Sequence, residues 1–137
     1  MFSFLASAVT ISTGNVIFNG ASNYTGSTMI ASGATLQLNN GGSIVSSTYT
    51  IAGALSFSNS VGNPLTYAGG LSGNGTLTKD GLGSLTLNGN GAAFTGPTNV
   101  TSGTLVVNGS LGNGALSLAS GAVLSGGGTI GGTVTSN

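Results

Sequence analysis

Apolar and polar residues alternate along almost the whole chain, in short runs that end at Gly or Asn. Two examples are "ATLQLN" at 34–39 and "SLTLNG" at 84–89. This alternation has the period of a β-strand, whose successive side chains point to opposite faces. No window keeps the i, i+3, i+4, i+7 apolar spacing of an amphipathic helix. The pattern therefore predicts an all-β chain of about fourteen short strands joined by tight turns.

Two long segments of the chain also resemble each other. Residues 14–39 align with residues 83–108, and the match includes an aromatic-Thr-Gly step at Tyr24-Thr25-Gly26 and at Phe94-Thr95-Gly96. A shorter echo recurs as "ASGATL" (31–36), "TSGTLV" (101–106) and "ASGAVL" (119–124). Short strands and repetition favour a coil in which each strand pairs with its equivalent one rung above. We predict a parallel β-solenoid of roughly five to six rungs, with an antiparallel sandwich or barrel as the alternative.

Residues 73–132 add a more specific pattern. They contain "GNGTLTKDGLGSLTL", then the aromatic-Thr-Gly step, and they end in "GGGTIGG". This combination closely resembles the autotransporter-associated β-strand repeat of bacterial passenger domains, and residues 14–44 resemble a second, diverged copy without the Lys turn. The resemblance implies a right-handed parallel β-helix, secretion and display at the bacterial surface. Residues 1–137 are interpreted as a single solenoid domain, either a fragment of a passenger or a protein that uses the repeat for itself.

Composition narrows the possible functions. Charged residues make up 1% of the chain, the formal net charge is zero, and there are 27 Gly and no Cys. Ordinary globular proteins carry roughly 25% charged residues, so little electrostatic repulsion keeps copies of this chain apart. One Lys gives no basic footprint for nucleic acid, and no stretch approaches the ~20 apolar residues of a membrane span. The opening "MFSFLASAV" is interpreted as a first strand, with a remnant of a signal sequence as the alternative.

Lys79 and Asp80 are the only charged side chains. Without His, Cys, Glu or Arg they have no partner for general acid–base catalysis, and one carboxylate is a poor Ca²⁺ site. We therefore expect no enzymatic activity and no catalytic, metal or cofactor residues. Lys79, Asp80 and Gly81 are predicted to form an exposed turn. Within the flanking strands, the inward residues are expected to be Leu77, Leu85 and Leu87.

The ends of a solenoid are open sheet edges, and the sequence shows neither polar caps nor charged residues that would block pairing. The leading hypothesis is an extracellular structural protein that assembles with itself, end to end or by strand exchange, into a filament. The candidate assembly edges are Phe2, Phe4, Leu5, Val9, Ile11, Thr129, Ile130 and Val134. The alternative is a passenger fragment acting as a stalk or as an adhesin toward glycans or host surfaces. Tyr24, Tyr49 and Tyr67 would then stack on sugars, unless they belong to the core.

Overall fold

The computed structural model describes residues 7–20, 24–40 and 47–137. These residues form short β-strands and no helix. The strands of the first half are β1 (Val9–Ile11), β2 (Asn15–Phe18), β3 (Thr28–Ile30), β4 (Thr35–Leu38), β5 (Thr48–Ile51), β6 (Ala54–Ser58), β7 (Leu65–Tyr67) and β8 (Gly70–Gly73). The strands of the second half are β9 (Thr76–Asp80), β10 (Ser84–Leu87), β11 (Asn90–Gly91), β12 (Ala93–Phe94), β13 (Thr98–Val100), β14 (Thr104–Val107), β15 (Ser110–Leu111), β16 (Leu116–Leu118), β17 (Val123–Ser125), β18 (Thr129–Ile130) and β19 (Val134–Ser136).

The strands stack into four sheets. Sheet I has the order β1-β3-β5-β8-β12, sheet II β19-β16-β13-β9-β6-β4-β2, sheet III β17-β14-β10-β7 and sheet IV β11-β15-β18. Every strand pairing among the described residues is parallel, and each joins strands of successive rungs. The predicted β-solenoid is therefore confirmed, and the antiparallel alternative is wrong.

Sheet II runs the length of the solenoid and sets its rung size. Paired residues lie 18 to 22 positions apart, from Leu116↔Val134 to Ala54↔Thr76. Inward side chains form continuous columns, one of which passes through Leu36, Leu55 and Leu77. All three are buried, as are Leu85 and Leu87, so the predicted inward residues are confirmed. Burying one such side chain stabilises the fold by about 1.5–3 kcal/mol, which makes these columns the main source of stability.

The short sequence echo corresponds to one kind of corner. Gly33, Gly103 and Gly121, the glycines of "ASGATL", "TSGTLV" and "ASGAVL", all have positive φ angles of 81°, 70° and 80°. A residue with a Cβ rarely adopts this backbone conformation, and glycine adopts it without steric cost. In each case the glycine lies between two consecutive strands that belong to different sheets. The short repeated sequence therefore marks the same type of turn at three corners of the coil.

Many of the remaining glycines are explained by close backbone approach between rungs. At these positions a Cβ would collide with a backbone carbonyl of the rung below, which in most cases belongs to another glycine. We call these stacks the glycine columns; one consists of Gly53, Gly75, Gly96, Gly114 and Gly132, and the other of Gly69, Gly89, Gly109 and Gly128. Only glycine fits where one turn of the coil passes directly over another, so the columns fix the spacing of the rungs at two corners.

Candidate functional site

Lys79 lies in the interior of the solenoid. In sheet II its inward column places it between Phe57 of β6 and Val100 of β13, and its side chain is 0% exposed. The expected exposed turn is therefore wrong for this residue. Lys79 and Asp80 end strand β9, and the turn begins at Gly81, whose φ is 75°. The alternation that makes Leu77 inward also makes Lys79 inward, so the signal was present in the sequence.

The Lys79 ammonium group is bound by backbone carbonyls. Nζ donates hydrogen bonds to the carbonyl oxygens of Asp80 at 2.6 Å, Gly81 at 2.7 Å and Ser102 at 3.4 Å. A lysine has three N–H donors, so all of them are used. Burial lowers the pKa of Lys79, and the neighbouring Asp80 charge partly offsets that effect. The ammonium thus joins its own corner to the corner of the next rung, where Ser102 lies.

Asp80 makes the matching contacts on the outer side. One carboxylate oxygen accepts hydrogen bonds from Thr101 Oγ1 at 3.0 Å and from Ser102 Oγ at 3.2 Å. The pKa of Asp80 is lowered first by a backbone hydrogen bond from Gly81 and then by Thr101, Ser102 and the Lys79 charge, while partial burial opposes them. We call Lys79 and Asp80 the corner pair. Lys79 points into the solenoid and Asp80 points outward, and both bind the corner formed by residues 101–102 of the next rung. The two charged groups therefore connect adjacent rungs.

Asn59 occupies the same corner one rung earlier and is also buried. Its Nδ2 donates to the carbonyl oxygens of Asn63 and Ser84, each at 2.8 Å, and its backbone N–H donates to the Asp80 carbonyl at 3.3 Å. Its Oδ1 is buried without a hydrogen-bond partner. Sequence reasoning missed this residue, although it continues the period-two alternation of the inward residues Leu55 and Phe57. Asn59 therefore places a further buried polar side chain at this corner, one rung before the corner pair.

An open groove runs beside this corner. We call it the amide groove; it is lined among others by Asn19, Gln37, Asn39, Asn40, Val61 and Leu82. Its amides form a ladder, since Asn39 Nδ2 donates to Asn19 Oδ1 at 2.6 Å and Gln37 Nε2 donates to Asn39 Oδ1 at 2.8 Å. Val61 and Leu82 are 73% and 71% exposed on its rim. Uncharged amides beside apolar side chains can contact a neutral polar ligand, but many of the amide groups already bind one another.

The three tyrosines belong to the core. Tyr24, Tyr49 and Tyr67 are all buried, so the suggestion that they stack on sugars from the outer surface is wrong. Two of their hydroxyls form internal hydrogen bonds: Thr28 Oγ1 donates to the Tyr24 hydroxyl at 2.9 Å, and the Tyr67 hydroxyl donates to the Gly70 carbonyl at 3.0 Å. Burial raises the pKa of both Tyr49 and Tyr67 well above the usual range. These side chains fill the solenoid and are not available to a ligand.

The predicted assembly residues fall at sheet edges where the structure describes them. Phe2, Phe4 and Leu5 lie outside the described residues. Val9 and Ile11 belong to β1, the edge strand of sheet I, where Val9 is half-buried and Ile11 is buried. At the other end, Thr129 and Ile130 form β18, the edge of sheet IV, and Val134 lies in β19, the edge of sheet II. Assembly through these edges stays a prediction.

Comparison with known proteins agrees with this architecture. The fold and its rung-joining corner define a parallel β-solenoid with internal repeats. Residues 11–38 and 77–107 match the family model of the passenger-associated-transport-repeat, which confirms the resemblance of these two segments to the repeat of passenger domains. Searches among curated proteins and among solved structures each gave no significant match. Over the described residues, no helix has the length and apolarity needed to cross a membrane.

Proposed function

We propose that this chain is a non-enzymatic structural segment of a bacterial passenger solenoid, acting outside the cell as part of a stalk. The two matched repeats imply a bacterial secreted or cell-surface protein. The observation that carries the proposal is the use of the only two charged side chains, which bind the corner of the next rung instead of facing a cleft. A chain whose ionisable groups serve rung stacking is suited to bearing a load along the coil.

The test is replacement of stalk rungs in a surface-displayed passenger by residues 1–137, with an epitope tag placed before the insert. We expect the tag to be accessible to antibody on intact cells, because a continuous solenoid should be tolerated. The insert carrying Gly96→Ala is the control, since its added Cβ would collide with the Gly75 carbonyl. Loss of display with the unchanged insert, or equal display with Gly96→Ala, would contradict the proposal.

The second candidate is self-assembly into filaments, and it is supported by the last rung. Strands β17, β18 and β19 are edge strands, and two apolar side chains on this rung, Val123 and Val134, are 50% and 47% exposed. Unpaired backbone groups beside apolar side chains accept a further parallel strand, and a second copy could supply it. Growth in one direction would give an open polymer, since the contact joins unlike ends.

Negative-stain microscopy and sedimentation over a range of concentrations test this candidate. We expect the unchanged protein to form filaments and Val134→Lys to remain dispersed, because a charge on the edge opposes strand pairing. Val61→Lys is the matched control, since Val61 is equally apolar and more exposed but lies at a corner rather than in an edge strand. Dispersed monomers at every concentration, or filaments of Val134→Lys equal to those of the control, would reject it.

A further inference from the structure

The chain contains many Asn-Gly pairs, and such pairs can undergo an intramolecular reaction. They begin at Asn19, Asn40, Asn74, Asn88, Asn90, Asn108 and Asn113. In such a pair the backbone nitrogen of the glycine can attack the side-chain amide carbon of the asparagine, because glycine has no Cβ to hinder the approach. Closure of this five-membered ring requires a glycine nitrogen and an amide side chain that are both free to move. The solenoid holds these groups differently at each pair.

In three of the pairs the glycine nitrogen is already bound. Gly75 donates its N–H to the Ile51 carbonyl at 2.8 Å, and Gly109 donates to the Leu87 carbonyl at 3.0 Å. Gly91 donates to Ser110 Oγ at 3.2 Å. Attack by these nitrogens requires the hydrogen bond to the neighbouring rung to break first. These hydrogen bonds between rungs therefore protect Asn74, Asn90 and Asn108 from attack by the following glycine nitrogen.

In two further pairs the amide side chain is bound. Asn19 Oδ1 accepts a hydrogen bond from Asn39 Nδ2, and Asn88 Oδ1 accepts one from Asn108 Nδ2 at 3.1 Å. These bonds between rungs hold the amide away from the backbone of its own turn. For the pair that begins at Asn40, the glycine, Gly41, lies outside the described residues.

Asn113-Gly114 differs from all of these. The pair lies at the bend between β15 and β16, and the Asn113 side chain is exposed. Within the described residues, neither the Asn113 side chain nor the Gly114 N–H makes a hydrogen bond. We propose that Asn113 is a site of spontaneous deamidation in the folded protein, and that it is modified before the Asn-Gly pairs that the solenoid protects.

The reaction is complete with water as its co-reactant. The Gly114 nitrogen forms a bond to Asn113 Cγ, the Cγ–Nδ2 bond breaks, and the amide leaves as ammonia with the proton from Gly114. Water then opens the cyclic imide at either carbonyl, which gives aspartate or isoaspartate. Each event takes the chain from a formal net charge of zero to one negative charge. Isoaspartate also lengthens the backbone next to Gly114, a member of the glycine column that spaces sheet II.

The experiment is ageing of the purified full chain at mildly alkaline pH, followed by pepsin digestion at acid pH and mass spectrometry of each Asn-Gly peptide. We expect Asn113 to convert at least about tenfold faster than Asn74 and Asn108, the factor that a local opening costing about 1.4 kcal/mol imposes. In urea, where no rung protects any pair, the rates should converge. Conversion of Asn74 or Asn108 as fast as Asn113 in the folded protein, or no conversion at Asn113, would overturn the proposal.

A pair of variants gives an independent readout. Asn113→Gln should abolish the early acidic species seen by anion exchange, because glutamine must close a larger ring and does so slowly. Asn74→Gln, at a pair whose glycine nitrogen is bound to the Ile51 carbonyl, should leave that species unchanged. An acidic species that persists in Asn113→Gln would assign the modification to another residue.

Discussion

The two copies of the repeat do not occupy the same faces of the solenoid. In the first copy, β3 and β4 lie in sheets I and II, whereas the aligned strands of the second copy, β13 and β14, lie in sheets II and III. The sequence repeat is offset by 69–70 residues, whereas a rung takes 18 to 22 residues, so the offset equals three rungs and one additional face. The repeat therefore specifies a strand-corner-strand unit, and the face on which it lies depends on the chain length that precedes it.

The copies also differ at the last buried residue before the corner that leads to β2 in the first copy and to β10 in the second. In the first copy Ile11 is the buried end of β1 and precedes Gly14, which has a φ of 78°. In the second copy Lys79 is the buried residue before Gly81. An aliphatic side chain contributes packing alone, whereas Lys79 also binds carbonyls of two rungs. The difference indicates that the corner tolerates either residue and that the lysine adds a specific link to the rung that follows.

The largest predicted effect comes from a feature that both copies share. The glycine of the aromatic-Thr-Gly step lies against backbone in each, Gly96 against the Gly75 carbonyl and Gly26 against the Ser7 carbonyl. Overpacking of this kind costs about 3 kcal/mol, so we expect Gly96→Ala to lower the free energy of unfolding by about that amount in urea titrations. Gly26→Ala should cost less, because Ser7 precedes β1, an edge strand that pairs with a neighbour on one side only.

Gly127→Ala is the control for both glycine variants. Gly127 is exposed, and a Cβ there would meet nothing within 4 Å. Its urea midpoint should stay close to that of the unchanged protein. If Gly96→Ala and Gly127→Ala have the same midpoint, the glycine columns do not limit rung spacing as described.

The second effect tests the difference between the copies. Lys79→Met keeps an apolar stem in the column but removes the donor to the carbonyls of Asp80, Gly81 and Ser102. We expect a loss of about 2 kcal/mol in the free energy of unfolding, because buried acceptors are left without partners. Leu38→Met, in the same column, should cost less than about 1 kcal/mol, since it is a swap of similar volume that breaks no hydrogen bond.

The difference in unfolding free energy between the unchanged protein and Lys79→Met should depend on pH. Because the pKa of Lys79 is lower in the folded state, the folded protein loses the proton first, and the unfolded state binds more protons between that pKa and 10.5. The unchanged protein should therefore gain stability relative to Lys79→Met as the pH rises toward 10.5. The raised pKa values of Tyr49 and Tyr67 affect both proteins equally and cancel in the difference. A gap between the two proteins that narrows over this range would contradict a lowered pKa.

The sequence predicts some of these features and not others, for physical reasons. Strand alternation is a local property, so the inward positions of Leu77, Leu85 and Leu87 could be predicted, and the same rule applied to Lys79 would have placed it inside. The inward position of Asn59 continues the alternation of Leu55 and Phe57 and could be predicted in the same way. The glycine columns, by contrast, depend on which backbone lies one rung below. That neighbour is 18 to 22 residues away and the interval varies, so no fixed sequence spacing identifies it.

The smallest effect concerns the outer half of the corner pair. Asp80→Asn keeps an oxygen acceptor for Thr101 Oγ1 and Ser102 Oγ but removes the charge. Asp80 is exposed, so we expect a loss below about 1 kcal/mol at neutral pH. The pKa of Asp80 is lower in the folded state than its ordinary value of 3.8, so its contribution is present above that value and is lost as the pH falls through the folded pKa. Urea midpoints of the two proteins should therefore differ at pH 7 and converge in strong acid. A difference that persists in acid would mean that Asp80 acts through its shape and not through its charge.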